Sequence, residues 1–212
     1  MISKLLARLM IALLPVSAMA IDNNKPIEWV VGYAPGGGSD VVARMLADAM
    51  GKSLSHTVIV TNKPGAGSNI AADYVAKTRE AENTVFTADS AVLAANPFLY
   101  SKLTYSAEKD FTPVGMIARF PLVLVVNPSV PPKTLKEFLA WVKSDAKLGS
   151  YGSPGAGSPH HLATEFFRSQ TGLNLTHVPY RGAAPAMADV VGGQIPFMFV
   201  DTASGYQFIA AG

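Results

Sequence analysis

Between residues 27 and 96, short apolar runs alternate with stretches whose apolar positions recur every three or four residues. IEWVVGY (27–33), TVIVT (57–61) and TVFTA (84–88) read as strands. SDVVARMLADAM (39–50) reads as a helix with Val42, Leu46 and Ala49 on one face and Ser39 at the N-cap position. A second helix follows the glycine turn NKPGAGS (62–68), with Ile70, Tyr74, Val75 and Thr78 sharing a face, and DSAVLAAN (89–96) starts another. Strand, turn and helix in series predict an α/β domain with a mainly parallel sheet.

The pattern breaks at PFLYSKLTYSAEKDFTP (97–113), which is rich in turn residues and has no clean period. VGMIA (114–118) and PLVLVVN (121–127) then read as strands crossing into a second lobe. TLKEFLAWVKSD (134–145) predicts a helix in which Thr134 and Glu137 have the spacing of a capping box. The alternation resumes with a short strand near Ser150–Ser153, the turn PGAGSPHH and a helix closed by Gly172. LTHVPY (175–180), APAMADVV (184–191) and IPFMFVD (195–201) continue it as strand, helix and strand, and SGYQFIAAG starts a further helix.

The first twenty residues stand outside this pattern. MISKLLARLMIALLPVSAMA has a basic start, an apolar run too short to span a bilayer, and Ala18-Met19-Ala20 as an A-x-A site. It reads as a secretory signal peptide (1–20) cleaved after Ala20, which makes the mature chain an exported, periplasmic one. The whole sequence has 17 Lys and Arg against 15 Asp and Glu, and losing Lys4 and Arg8 balances the two. A formally neutral chain argues against nucleic acid as a partner and against anionic membrane surfaces. The absence of cysteine excludes a disulfide framework, Cys-ligated zinc and a thiol nucleophile.

Three turns, Gly36–Asp40, Gly65–Asn69 and Gly155–His161, each end a strand and open a helix. Such a turn can present free helix N–H groups to an anion, or it can simply be a tight connection. Nucleotide readings fail: neither G-x-G-x-x-G nor G-x-x-x-x-G-K-[ST] is completed, and there is no G-x-S-x-G elbow. A hydrolase would have to use Ser158 with His160 or His161, without a supporting motif. Adjacent histidines on a helix point about 100° apart, so this pair cannot jointly grip a metal. His56 and His177 read as surface or packing residues. Ser90 and Asp201 both follow strands. Asp201 is either an N-cap for the next segment or a holder of ordered water or of a ligand donor.

Five stretches carry a more specific signal: KPIEWVVGYAPGGGSDVVARMLAD, VIVTNKPGAGSNIAADYVAK, KDFTPVGMIARFPLVLVVNPSVPPKTLKEF, YGSPGAGSPHHLATEFF and HVPYRGAAPAMADVVGGQIPFMFVD. In this order and spacing, the chain from Lys25 to Gly212 resembles the Bug proteins, extracytoplasmic solute receptors of tripartite tricarboxylate transporters. The resemblance implies a type II periplasmic-binding-protein fold: two α/β lobes, 21–120 and 121–212, around a ligand cleft. It implies no catalysis, cofactor or metal, and a small carboxylated solute passed to the membrane components of such a transporter. Some members of that family take neutral amides or nicotinic-acid-like compounds. It also implies that a ligand carboxylate is held by backbone N–H groups and ordered water from the turns Tyr33–Asp40 and Gly155–His161. The contacts carried over are Ala34, Gly37, Gly38, Ser39 and Ser90 from the first lobe, with Gly157, Ser158, Tyr180 and Asp201 from the second.

The chain departs from that pattern in two places. EAENTVF (80–86) replaces the family's usual Asp-Gly-Tyr-Thr approach to the third strand. Family members also continue for roughly a hundred residues more, about a small domain's worth, which return to finish the first lobe. The expectation is therefore a first lobe lacking its closing strand and helices. The alternatives at this level are a non-functional truncated remnant of such a receptor and a small exported hydrolase using Ser158 and His161.

Overall fold

The computed structural model describes residues 25–211, so the segment 1–20 and its expected cleavage point lie outside the described residues. Two sheets organise the chain. The first has the strand order β2-β1-β3, from β1 (Ile27–Val31), β2 (Val58–Asn62) and β3 (Thr84–Thr87), all parallel. The second has the order β4-β7-β5-β6, from β4 (Leu122–Val126), β5 (Ser150–Ser153), β6 (Thr176–Pro179) and β7 (Phe197–Asp201). Only β4 runs antiparallel, against β7.

The helices follow from the apolar periodicity. α1 (Gly38–Leu54) lays Ala43 and Ala47 on Trp29 and Val31 of β1. Val30 is buried too, so the central strand is covered on both faces, as its unbroken apolar run requires. α2 (Asn69–Ala76) corrects the predicted face: Ala71 and Ala72 are buried, whereas Ile70 and Tyr74 are exposed. Alanines let the helix backbone approach the core closely, and the larger side chains are left outside. A π-helical turn (Ala91–Ala95) and one helical turn (Asn96–Leu99) replace the regular helix expected after Asp89.

In the second lobe, α3 (Leu135–Ser144) and α4 (Pro159–Thr171) cover one face of the sheet, and α5 (Ala183–Val191) covers the other. The period of two along β7 is legible in its partners. Phe197 joins Phe138, Val142 and Tyr151, with Phe138 edge-on at 5.0 Å, while Met198 and Val200 join Met187, Val190 and Ile195. α6 (Thr202–Ala211) follows β7 directly. The capping box is present: Glu137 N–H donates to Thr134 Oγ1 at 3.2 Å, and Thr134 N–H donates to Glu137 Oε2 at 3.3 Å.

The predicted strand VGMIA does not form. Residues 114–118 have no strand assignment, and Val114 is 97% exposed. A strand exists only through a paired neighbour, and β3 is the edge of the first sheet with nothing described beyond it.

Candidate functional site

The strand-to-helix turns of both lobes meet along one seam. In the first turn, Ser39 is not the N-cap as expected. Gly37 occupies that position in an extended conformation, without a side-chain cap, and Ser39 lies half-exposed inside the first turn of α1. Asp40 shapes the loop instead. Its carboxylate accepts from Gly36 N–H at 2.9 Å, Arg44 Nε at 3.0 Å and Asn62 Nδ2 at 2.9 Å. Burial pushes the Asp40 carboxyl up, but these hydrogen bonds and the Arg44 charge outweigh it and hold it below the usual range.

The turn packs directly on the other lobe. Ala34 N–H donates to Arg181 O at 2.9 Å, and Gly37 is buried beside Ala183 at the start of α5. A Cβ built on Gly38 would stand 2.3 Å from Asp201 Oδ1, so only glycine lets helix α1 come this close to that carboxylate.

The second turn, 64–68, sits beside the first. Ala66 and Ser68 both have positive φ, a strained state for residues with a Cβ, and such strain gathers where a fold clamps something. Asn96 Nδ2 holds the turn by donating to Gly67 O at 2.9 Å. Across the seam Tyr100 Oη donates to Ala156 O at 3.3 Å.

From the second lobe, Ser158 is fully buried, and its Oγ accepts from His161 N–H at 3.3 Å, capping α4. Gly157 faces Asn96 Oδ1 and Leu99. His161 turns toward His177, with ring centroids 4.2 Å apart, while its Nδ1 accepts from Gly157 N–H at 3.3 Å. Burial lowers the pKa of both, His177 to about 4, and proximity to His161 adds to the shift at His177. His160 points elsewhere: its Nε2–H donates to Asp201 Oδ2 at 3.2 Å. The divergence of the two imidazoles follows from the helix angle. No group of three potential ligands suits a metal ion among the described residues.

Asp201 is both a cap and a cleft group. Ser204 N–H donates to Oδ1 at 2.8 Å, and Ser204 Oγ donates to Oδ2 at 2.5 Å. Burial opposes its ionisation, yet the His160 and Ser204 hydrogen bonds prevail and hold its pKa at about 2. Tyr180 lies under the seam, but its hydroxyl is committed to Asp189 at 2.6 Å. Burial and that carboxylate push the phenol up to about 12.

The structure thus brings Gly38 against Asp201, Ala34 against Arg181 and Gly182, Gly37 against Ala183, and Gly157 against Asn96 and Leu99 of the first lobe, while Ser158 caps α4 within its own lobe. Ser39 borders the seam, and Ser90 is exposed, without a side-chain bond. Its neighbour Asp89 is the engaged residue. Tyr33 Oη donates to Asp89 Oδ2 at 2.7 Å, and Ala91 and Val92 N–H donate to Oδ1. Burial raises the Asp89 pKa despite these donors. Sequence reasoning missed Asp89, Asn96 and Ser68; the available signals were a carboxylate closing TVFTAD and an amide embedded in AVLAANPF.

Three polar atoms along this seam, Ser68 Oγ, Asn96 Oδ1 and His160 Nδ1, are buried without any hydrogen-bond partner. Buried polar groups are nearly always satisfied, so these atoms make the seam the candidate site. The hydrolase arrangement is absent: Ser158 Oγ is spent on the helix cap, and the His161 ring nitrogen facing this turn bonds to Gly157.

Comparisons with known proteins bear on the family and the fold. A family model described as "Tripartite tricarboxylate transporter family receptor" matches residues 42–212. Protein BugT of Bordetella pertussis is 36% identical over 182 residues, covering 85% of this chain and 56% of its own length. A UPF0065 protein in the tcbD–tcbE intergenic region of Pseudomonas sp. (strain P51) is 34% identical over 188 residues, 89% of this chain and 56% of the relative. The chain therefore spans little more than half the length of these curated relatives. The solved periplasmic binding protein BugD matches with a TM-score of 0.83 at 34% identity, over 88% of this chain and 62% of that one. MatC (Rpa3494) from Rhodopseudomonas palustris with bound malate matches at 0.82 and 30%, over 88% and 63%. R. palustris Rpa4515 with adipate matches at 0.84 and 31%, over 88% and 62%.

Proposed function

The chain belongs to the tripartite tricarboxylate transporter receptor family, and from that premise we propose that it is a periplasmic receptor for a small carboxylated solute. It holds the solute between its lobes and delivers it to the membrane components of a tripartite-type transporter. The observation that carries this reading is the seam itself: glycine turns opening α1, α4 and α5 converge there, beside three orphaned polar atoms. Helix N-termini offer N–H donors and positive potential, which suit a carboxylate without a buried lysine or arginine. Ala34, Gly37, Gly38, Ser39, Gly157, Ser158 and Asp201 are the proposed contact residues, with Asp89 in place of Ser90. The solutes of the structural neighbours, malate and adipate, support this class of ligand.

Titration calorimetry of the exported chain with malate, succinate, glutarate, adipate and nicotinate tests the reading. At least one acid is expected to bind and to raise Tm with concentration. A chain that melts cooperatively and binds none of them is not such a receptor.

A further inference from the structure

Behind the second-lobe turn, rings from three elements stack: Tyr151 of β5, His177 of β6 and His161 of α4. Centroids are 5.0 Å apart for Tyr151 and His177 and 4.2 Å apart for the two imidazoles. Each histidine holds one point of the turn. His161 Nδ1 accepts from Gly157 N–H at 3.3 Å. His177 Nε2 lies 2.6 Å from Ser153 Oγ, which accepts from Gly155 N–H at 3.1 Å. The turn needs such holds, because Gly155 and Gly157 have φ of 139° and 82°, and glycine backbone is free to leave that shape. Its far side meets the first lobe: a Cβ on Gly157 would stand 2.9 Å from the buried, unpartnered Asn96 Oδ1.

The two holds respond differently to a proton. Neutral His161 with its hydrogen on Nε2 is an acceptor at Nδ1; protonated, it turns an Nδ1–H on Gly157 N–H, donor against donor. His177 can keep its bond in either state, because the Ser153 hydroxyl can swing its hydrogen from Nε2 to Gly155 O, 3.2 Å away. Tyr151 of β5 and Glu165 of α4 face the pair, the phenol donating to the carboxylate at 2.8 Å, and exposed Arg168 engages Glu165 at 2.8 Å. Glu165 favours charge on both imidazoles, yet burial outweighs it, and charge on His161 further disfavours charge on His177. The first proton therefore goes to His161.

We infer that His161 and His177 are the positioning residues of the turn Gly155–Ser158, and that His161 makes this hold a proton-sensitive latch. Neutral, it fixes Gly157 and the start of α4 against the first lobe; protonated, it lets them go. Its consequence for binding rests on the receptor reading: affinity for an acid falls on acidification more than the acid's own titration requires.

The Gly157 amide reads the latch directly and needs no ligand. Amide NMR of the native chain from about pH 7.5 to 4.5 is expected to show the Gly157 signal titrating below about pH 6.5 and its exchange protection falling about tenfold against β5 amides. In His161→Asn, whose Oδ1 stands in for Nδ1 but takes no proton, that change is absent; in His177→Gln it remains. Calorimetry with malate and adipate gives the second readout. Native affinity relative to His161→Asn is expected to hold steady near pH 7.5 and to fall about tenfold by about pH 4.5, the acid's own titration cancelling in the ratio. A native Gly157 amide indifferent to pH, or one that titrates equally in His161→Asn, overturns the latch whether or not an acid binds. A constant affinity ratio despite a titrating amide overturns its link to binding. A titrating amide in a chain that binds no acid removes the receptor reading and supports the latch.

Discussion

Asp201 shows how one side chain couples fold and site. It caps α6 through Ser204, holds His160 and receives the closest approach of α1. With the folded-state pKa at about 2 and an unfolded value near 3.8, the unfolded chain binds more protons between those values. The contribution is complete above about pH 4 and is lost as pH falls toward 2. Asp201→Asn keeps the shape and removes the charge, and is expected to cost about 1–2 kcal/mol at pH 7. Urea unfolding from pH 7 down to 2.5 should show that gap closing on acidification. A gap that stays constant over this range would mean that the carboxylate charge does not stabilise the fold. The histidines act in the same direction at higher pH. His177, depressed from 6.5 to about 4, withdraws stability as pH falls through that window.

At the scale of elements, the junction between Gly37 and α1 is where sequence and tertiary demand part. Gly38→Ala improves helix propensity, and on an isolated helix it would be neutral or favourable. Here the new methyl meets Asp201 Oδ1 at 2.3 Å, so the expected outcome is a loss of about 1–3 kcal/mol and at least tenfold weaker acid binding. Thermal melts and calorimetry on the same sample check both, and a variant with native Tm and affinity would show that the lobes need not approach so closely. This junction also marks what could be read in advance. The strands, α3 with its capping box and α4 ending at Gly172 were legible because apolar period and cap chemistry are local signals. Ser39 as a cap, Ile70 as a buried residue and VGMIA as a strand were not. Each depends on what lies across the chain: Asp201 above Gly38, alanines closing on the sheet, and a pairing partner for 114–118. Ser90 and Asp89 share one strand end, where Ser90 is exposed and Asp89 is hydrogen-bonded. Hydrogen bonds from Tyr33 Oη and from the Ala91 and Val92 N–H groups to Asp89 distinguish the two.

In the whole molecule, the sheets are joined covalently through a crossing without regular structure, residues 111–121, and otherwise through the seam. Among the described residues, the hydrogen bonds across that seam outside the cleft carboxylates are few, Ala34 to Arg181 and Tyr100 to Ala156 among them. Each lobe keeps its own clusters: Trp29 with Ala43 in one, Phe138 with Phe197 in the other. Opening the seam therefore sacrifices a handful of contacts and no core, while giving water to the three orphaned atoms, so the free energy of opening is far below that of unfolding. Hydrogen exchange can separate the two events, because the Ala34 N–H is bonded only across the seam, whereas Val30 and Val31 are held inside β1. In the free chain Ala34 is expected to exchange much faster than Val30 and Val31. A bound acid should slow Ala34 by a factor of about 1 + [L]/Kd and leave the strand amides unchanged so long as they exchange by a separate route. Equal protection of Ala34 and β1 without ligand would mean that the lobes move as one body.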